Sequence, residues 1–152
     1  MSGRVPPSSQ DGGELAARLE ALGSTLGQRE AAFRGELAQA RDCAQRLRCC
    51  VADALARFHT AAAAAGAPHL RIELSELRAD DKHLRAVEFD LLRGRHKAIV
   101  TAKARGEVTL VGPFHIGKNE GPCLSFPLDA ESELREALAG FLERFVEEAA
   151  TP

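Results

Sequence analysis

Leu15, Leu19, Leu22 and Leu26 are separated by steps of four, three and four residues. The rhythm continues through Glu30, Phe33, Leu37, Ala40, Ala44, Leu47, Val51, Ala54 and Phe58. Steps of four and three return a side chain to one face of an α-helix, so this is a coiled-coil-like seam, with a stutter where two four-residue steps follow each other at Leu26. The positions between are filled with Arg, Glu, Gln and Ala, which are strong helix formers. The expectation is one long helix over residues 14–65, weakened at 23–27, where two glycines and a threonine fall within one turn. Gly66 suits the position just past a helix end, and Pro68 prevents continuation. A helix of that length spans roughly 80 Å at ~1.5 Å per residue. That exceeds the diameter of a globule of 152 residues, so its apolar stripe needs cover from elsewhere. A second copy is the expected cover, giving a homo-oligomer, most simply a dimer. The self-association residues would be Leu15, Leu19, Leu22, Leu26, Phe33, Leu37, Leu47, Val51 and Phe58. An intramolecular helical hairpin is the competing arrangement.

From His69 the period of the pattern falls to two. Leu70, Ile72 and Leu74 alternate with polar residues, and Arg78 to Lys82 reads as a charged turn. Residues 84–93, 96–104 and 107–111 then form strands separated by Gly94-Arg95 and Arg105-Gly106, each fitting a two-residue hairpin loop. That register sets Leu91 against Ala98, Phe89 against Val100 and Val87 against Ala102. In the second hairpin it sets Val100 against Val111 and Ala102 against Thr109. The second face would then hold Ile99, Val108 and Leu110 beside Glu88, Asp90, Thr101 and Lys103, and would need partial cover of its own. A last strand lies near 123–128, with Pro127 marking an edge. Asp129 is the expected cap of a terminal helix over 129–149 whose stripe is Leu134, Leu138, Phe141, Leu142 and Phe145. The fold class is α+β: a long N-terminal helix, an antiparallel meander of four to five strands over 69–128, and a C-terminal helix packed on the sheet. A disordered tail is expected over 1–13, followed by a single domain over 14–152.

Charge excludes some classes of partner. The net charge is −2, which makes no general case for nucleic acid or for a membrane surface. Arg93, Arg95, His96 and Lys97 fall at one end of the meander and Lys103 and Arg105 at the other, with no interleaved aromatic residue for base stacking. No stretch approaches the ~18 apolar residues of a membrane span, and no apolar leader is visible, so the expected location is cytoplasmic. Arginine outnumbers lysine and alanine is abundant, which we read as genomic base composition of a bacterial kind.

Chemistry is thinly signalled. Gly112 to Asn119 fits the GxxxxGK half of a phosphate-binding loop. Asn119 stands where the motif needs a hydroxyl, and Gly121-Pro122 forbids the helix that should receive the phosphate. The segment 113–122 still gathers His115, Lys118, Asn119 and Glu120 as the best candidate contact with a ligand or partner. His59, His69, His83, His96 and His115 form no metal-ligand spacing, and Cys43, Cys49, Cys50 and Cys123 form no CxxC. No catalytic set, cofactor site or metal site is legible. Two functions are therefore expected from different classes. The first is an interaction or assembly module that self-associates through its long helix and presents the meander to an unidentified protein partner. The second is a small-molecule binder or enzyme with a pocket between the sheet and the C-terminal helix near 113–122.

Overall fold

The computed structural model describes residues 7–80, 85–118 and 121–151. The element order is α1 (Pro7–Ala64), β1 (Glu73–Leu74), β2 (Arg78–Asp80), β3 (Ala86–Arg93), β4 (His96–Lys103), β5 (Glu107–His115), β6 (Cys123–Pro127) and α2 (Glu131–Ala150). The α+β architecture is the expected one. The chain divides into two units, Met1–Gly35 and Glu36–Pro152. Residues 7–35 of α1 belong to the first and residues 36–64 to the second.

The long helix starts at Pro7, earlier than residue 14, and is unbroken across 23–27. Proline suits a first helical turn because its missing N–H has no acceptor there in any case. Residues 1–6 of the expected tail lie outside the described residues. At the far end Gly66 takes φ +95°. Its N–H donates to Ala63 O at 3.0 Å, and the N–H of Ala67 donates to Ala62 O at 2.8 Å. This pair of bonds closes the helix by satisfying carbonyls that the ladder leaves open.

In the second unit the stripe of α1 drifts off the heptad. Ala40, Ala44, Leu47, Val51 and Leu55 are buried and Phe58 is half-buried, whereas Ala54 is exposed. Leu55 replaces Ala54 because a straight helix lying on a sheet keeps its own 3.6-residue period and does not supercoil. The core joins this stripe and Cys43 to Ile72, to the inward residues of β3, β4 and β5, and to Leu134, Leu138, Phe141, Phe145 and Ala149 of α2. Ala98, Val100 and Ala102 of β4 are fully buried, and their small size admits close packing over the middle of the sheet. Arg48 Nε donates to Ser75 O at 2.8 Å, and the N–H of Ile72 donates to His59 Nε2 at 2.9 Å.

The strands run antiparallel in the order β1-β3-β4-β5-β6, with β2 also on β3. Arg78–Asp80 is therefore a strand where a charged turn was expected, and Lys82 lies outside the described residues. The first hairpin has the expected register: Leu91 opposite Ala98, Phe89 opposite Val100, Val87 opposite Ala102. Gly94 leads its loop with φ +58°. The second hairpin is a correction. Val100 pairs with Leu110, Ala102 with Val108 and Lys103 with Glu107. The loop is Ala104-Arg105-Gly106, one residue longer than expected, and Gly106 takes φ +102° as three-residue hairpins require. The one-residue slip exchanges the faces of β5. Val108 and Leu110 join the core, and Thr109 and Val111 turn outward with Glu88, Asp90, Thr101 and Ser125. The second face is thus more polar than expected, although Ile99 stays on it and Val111 joins it.

Gly112 has φ +117°, and a Cβ there would lie 2.9 Å from the carbonyl oxygen of Lys97. It sits opposite the Lys97/Ile99 irregularity in the β4–β5 ladder. At the start of α2 Ala130 is the N-cap, with no side-chain bond. Asp129 is therefore not the cap, and Glu131 and Glu133 supply the negative charge of the first turn.

Candidate functional site

Three surfaces carry the candidate residues. The first is the seam. In the first unit Leu15, Leu19, Leu22 and Leu26 are 59, 57, 51 and 47% exposed. Phe33 is half-buried. In the second unit Leu47 and Val51 are core residues, and Leu37 and Phe58 pack against the core. The sequence pattern is continuous, but the chain uses it twice: leucines on open surface early, and core contacts late.

The second is the 113–122 segment. Residues 112–115 belong to β5, so the glycine-lysine motif forms no phosphate cradle. His115 and Lys118 are exposed, and the N–H of Lys118 donates to His115 O at 3.0 Å. Asn119 and Glu120 lie outside the described residues, as does His83. The register of β4 and β5 brings His115 against His96, with ring centroids 4.8 Å apart and edge to face. Among the described residues no His, Cys, Asp and Glu cluster fits a metal ion.

The third is the pair of cavities beside α2. One of about 280 Å³ lies between the sheet and α2, lined by Leu110, Gly112, Pro122, Cys123, Leu124, Ala137, Gly140, Phe141 and Arg144. It occupies the place expected for a small-molecule pocket, but neither His115 nor Lys118 reaches it. The other, about 470 Å³, opens between α2 and residues 43–50 of α1, with Leu47, Leu134, Leu138 and Leu142 as its apolar wall. Cys43 and Cys50 border it and Arg46 and Arg135 stand over it. Burial pushes the Cys43 thiol above its ordinary range, against the lowering effect of Arg46, and so favours the protonated thiol.

The polar outer face of the sheet is a closed network. Arg78 grips Asp90 with both terminal nitrogens at 2.8 and 2.7 Å and donates from Nε to Glu88 at 2.8 Å. Thr101 Oγ1 donates to Glu88 at 3.1 Å, and Lys97 Nζ stands 3.7 Å from Asp90. Ser75 Oγ accepts the N–H of Asp90 at 2.8 Å. The sequence placed Glu88, Asp90 and Thr101 on one face but missed Arg78, whose strand it read as a turn. Lys103 and Arg105 are both engaged by Glu107, and together they hold its carboxyl below the ordinary range, Arg105 first. Arg93 donates to the carbonyls of Ala149 and His69. Arg93, Lys97, Lys103 and Arg105, four of the basic residues at the ends of the meander, are thus engaged within the fold.

The bond between the Ile72 N–H and His59 leads us to expect a fold that loses stability in acid. Burial, and then the charge of Arg71, lower its pKa, and Nε2 must be unprotonated to accept the Ile72 N–H. The unfolded chain therefore binds the proton more readily than the folded one. The bond's contribution is present above the ordinary imidazole pKa of roughly 6.5 and is lost as pH falls through the lower folded value. We expect denaturant midpoints to fall on that acid side and the dependence to flatten in His59→Gln. An unchanged slope in His59→Gln would remove His59 as its cause.

No described helix is long and apolar enough to cross a membrane. No family model, no curated protein and no solved structure matches this chain.

Proposed function

We propose that the protein is an assembly module that self-associates through the leucine stripe of residues 15–26. The observation that carries this reading is the exposure, by about half, of all four leucines on one helical face. Their 4-3-4 spacing is the seam of a pair of helices, and the flanking positions Ala16 and Gly23 leave room for a second backbone. Helix energetics support it. Gly12, Gly13, Gly23, Gly27 and Gly35 interrupt this part of α1. Each costs about 1 kcal/mol relative to alanine, so the segment is a poor helix until its apolar face is packed. Covering the open half of four leucines on each of two chains removes apolar surface from water, and this burial is what drives the pairing. Association is then reversible and concentration-dependent.

Sedimentation equilibrium of the full chain tests this. The mass should rise with concentration, and Leu19→Glu with Leu22→Glu should weaken association by roughly 100-fold or more, since four half-buried leucines per dimer are replaced by charges. A wild-type chain that stays monomeric across the micromolar range overturns the reading. So does an association indifferent to both substitutions.

A further inference from the structure

The sheet ends on one side at β6 (Cys123–Pro127), which pairs with β5 alone among the described strands. The bonds at its two ends fix which backbone groups remain open. The N–H of Gly112 donates to Pro122 O, and the N–H of Leu128 donates to Gly106 O. Residues 112/122 and 106/128 are thus hydrogen-bonded pairs of the ladder, and alternation makes 110/124 and 108/126 pairs of the same kind. Cys123, Ser125 and residue 127 must therefore turn their backbone groups outward. Residue 127 is a proline and has no N–H to offer. What remains is a short docking edge: a donor and an acceptor at Cys123, a donor and an acceptor at Ser125, and Leu124 between them.

Leu124 lies on the helix side of the sheet, opposite Leu110, and is 52% exposed. Beside it is the cavity of about 280 Å³ bounded by Ala137, Gly140 and Arg144 of α2. Gly140 leaves this side of the helix open, since a Cβ there would meet nothing within 4 Å. Ala137, Gly140 and Arg144 share one stripe of α2 with Glu133, at steps of four, three and four. Read along the helix, the stripe is acid, small, small, base.

We propose that two copies of the chain join edge to edge through β6, running antiparallel about a two-fold axis at Leu124. Cys123 of each copy then faces Ser125 of the other, and the four outward donors and acceptors satisfy one another. Leu124 meets its counterpart at a non-hydrogen-bonded position, where opposing side chains come closest. The axis, normal to the sheet, runs the two α2 helices in opposite senses. The Arg144 of each copy is then set toward the Glu133 of its counterpart, across the small residues. The occupant is a second copy because this edge is self-complementary in hydrogen bonding, in the leucine and in charge. Arg144 otherwise makes only an exposed contact with Glu148 at 3.4 Å. This surface is separate from the leucine stripe of residues 15–26 and does not rest on that reading.

The test uses the full chain carrying Leu19→Glu and Leu22→Glu, so that the helix seam makes no contribution. Sedimentation should still find dimers at about 100 µM, the range expected of a small interface. Ser125→Pro deletes one outward N–H and keeps the backbone bonds to β5, losing only the 3.2 Å hydroxyl contact with Thr109, so it should weaken the dimer about 10-fold or more. Glu133→Arg should also weaken it, and adding Arg144→Glu should restore it; these surface changes report even if the proline variant folds poorly. A monomer at 100 µM in the seam-disrupted background overturns the proposal, as does a dimer that neither Ser125→Pro nor Glu133→Arg weakens. If instead the otherwise native chain is a dimer at about 100 µM and Leu19→Glu with Leu22→Glu leaves that mass unchanged, the helix reading fails and this one stands.

Discussion

Phe145→Ala is expected to lower the unfolding free energy by about 3–5 kcal/mol, the range for removing a fully buried aromatic ring. Phe145 has no exposed surface and is one of the two largest fully buried side chains, with Phe89. It sits on α2, one turn beyond Phe141, in the core shared with the sheet and the second half of α1. Alanine cannot refill that volume, because its neighbours are held by a hydrogen-bonded sheet and a long helix. Urea denaturation followed by circular dichroism checks this. The midpoint should fall steeply with little change in slope, since the surface exposed on unfolding is almost unchanged. A loss below about 1 kcal/mol would mean that α2 is not docked as described.

The second large effect is expected at the outer face. Arg78→Met removes both nitrogens that hold Asp90, whose side chain is only 8% exposed. Lys97, at 3.7 Å, is a weak substitute. A carboxylate left largely dry without its hydrogen bonds costs about 2–3 kcal/mol, a figure already reduced because Arg78 itself is 43% exposed. Adding Asp90→Val should recover most of that loss, since replacing both partners of a pair avoids stranding either. Thermal denaturation of the single and double variants decides it. If the double variant is no better than Arg78→Met, the network stabilises β2 by some means other than the Arg78–Asp90 pair.

Most of the architecture was legible because each element has its own period. The step from 3.6 to 2 at His69 located the helix boundary, and Gly66 marked the helix end, which falls at Ala64 where residue 65 was expected. The first hairpin was readable because Gly94 leads a two-residue loop between strands of matching pattern. The second was misread because Ala104-Arg105-Gly106 and Arg105-Gly106 look alike in sequence: Ala104 extends the strand pattern and also serves as a loop residue. That single residue decided which of Val108 and Thr109 is inside. Arg78 was hidden for a similar reason, since Arg78 to Lys82 is too charged to resemble a strand until Glu88 and Asp90 stand opposite. The seam was legible as a pattern but not in its use. Spacing alone does not distinguish leucines on open surface from residues of identical periodicity that pack on a sheet. The candidate contact residues His115 and Lys118 lie outside the neighbouring cavity, whose lining is mostly apolar and carries no chemical motif, with Arg144 its one charged residue.

Both margins of the sheet are interrupted. On one side β1 and β2 share a single neighbour, and the chain leaves the ladder at Ser75, whose hydroxyl is spent on the N–H of Asp90. On the other, proline ends the run of donors after two residues. Runaway stacking of the kind that builds fibrils needs long unbroken rows of free amide groups. Among the described strands this sheet offers none, so strand addition beyond one neighbour at β6 is blocked by the shape of the chain itself, and fibril-like stacking of the folded sheet is not expected.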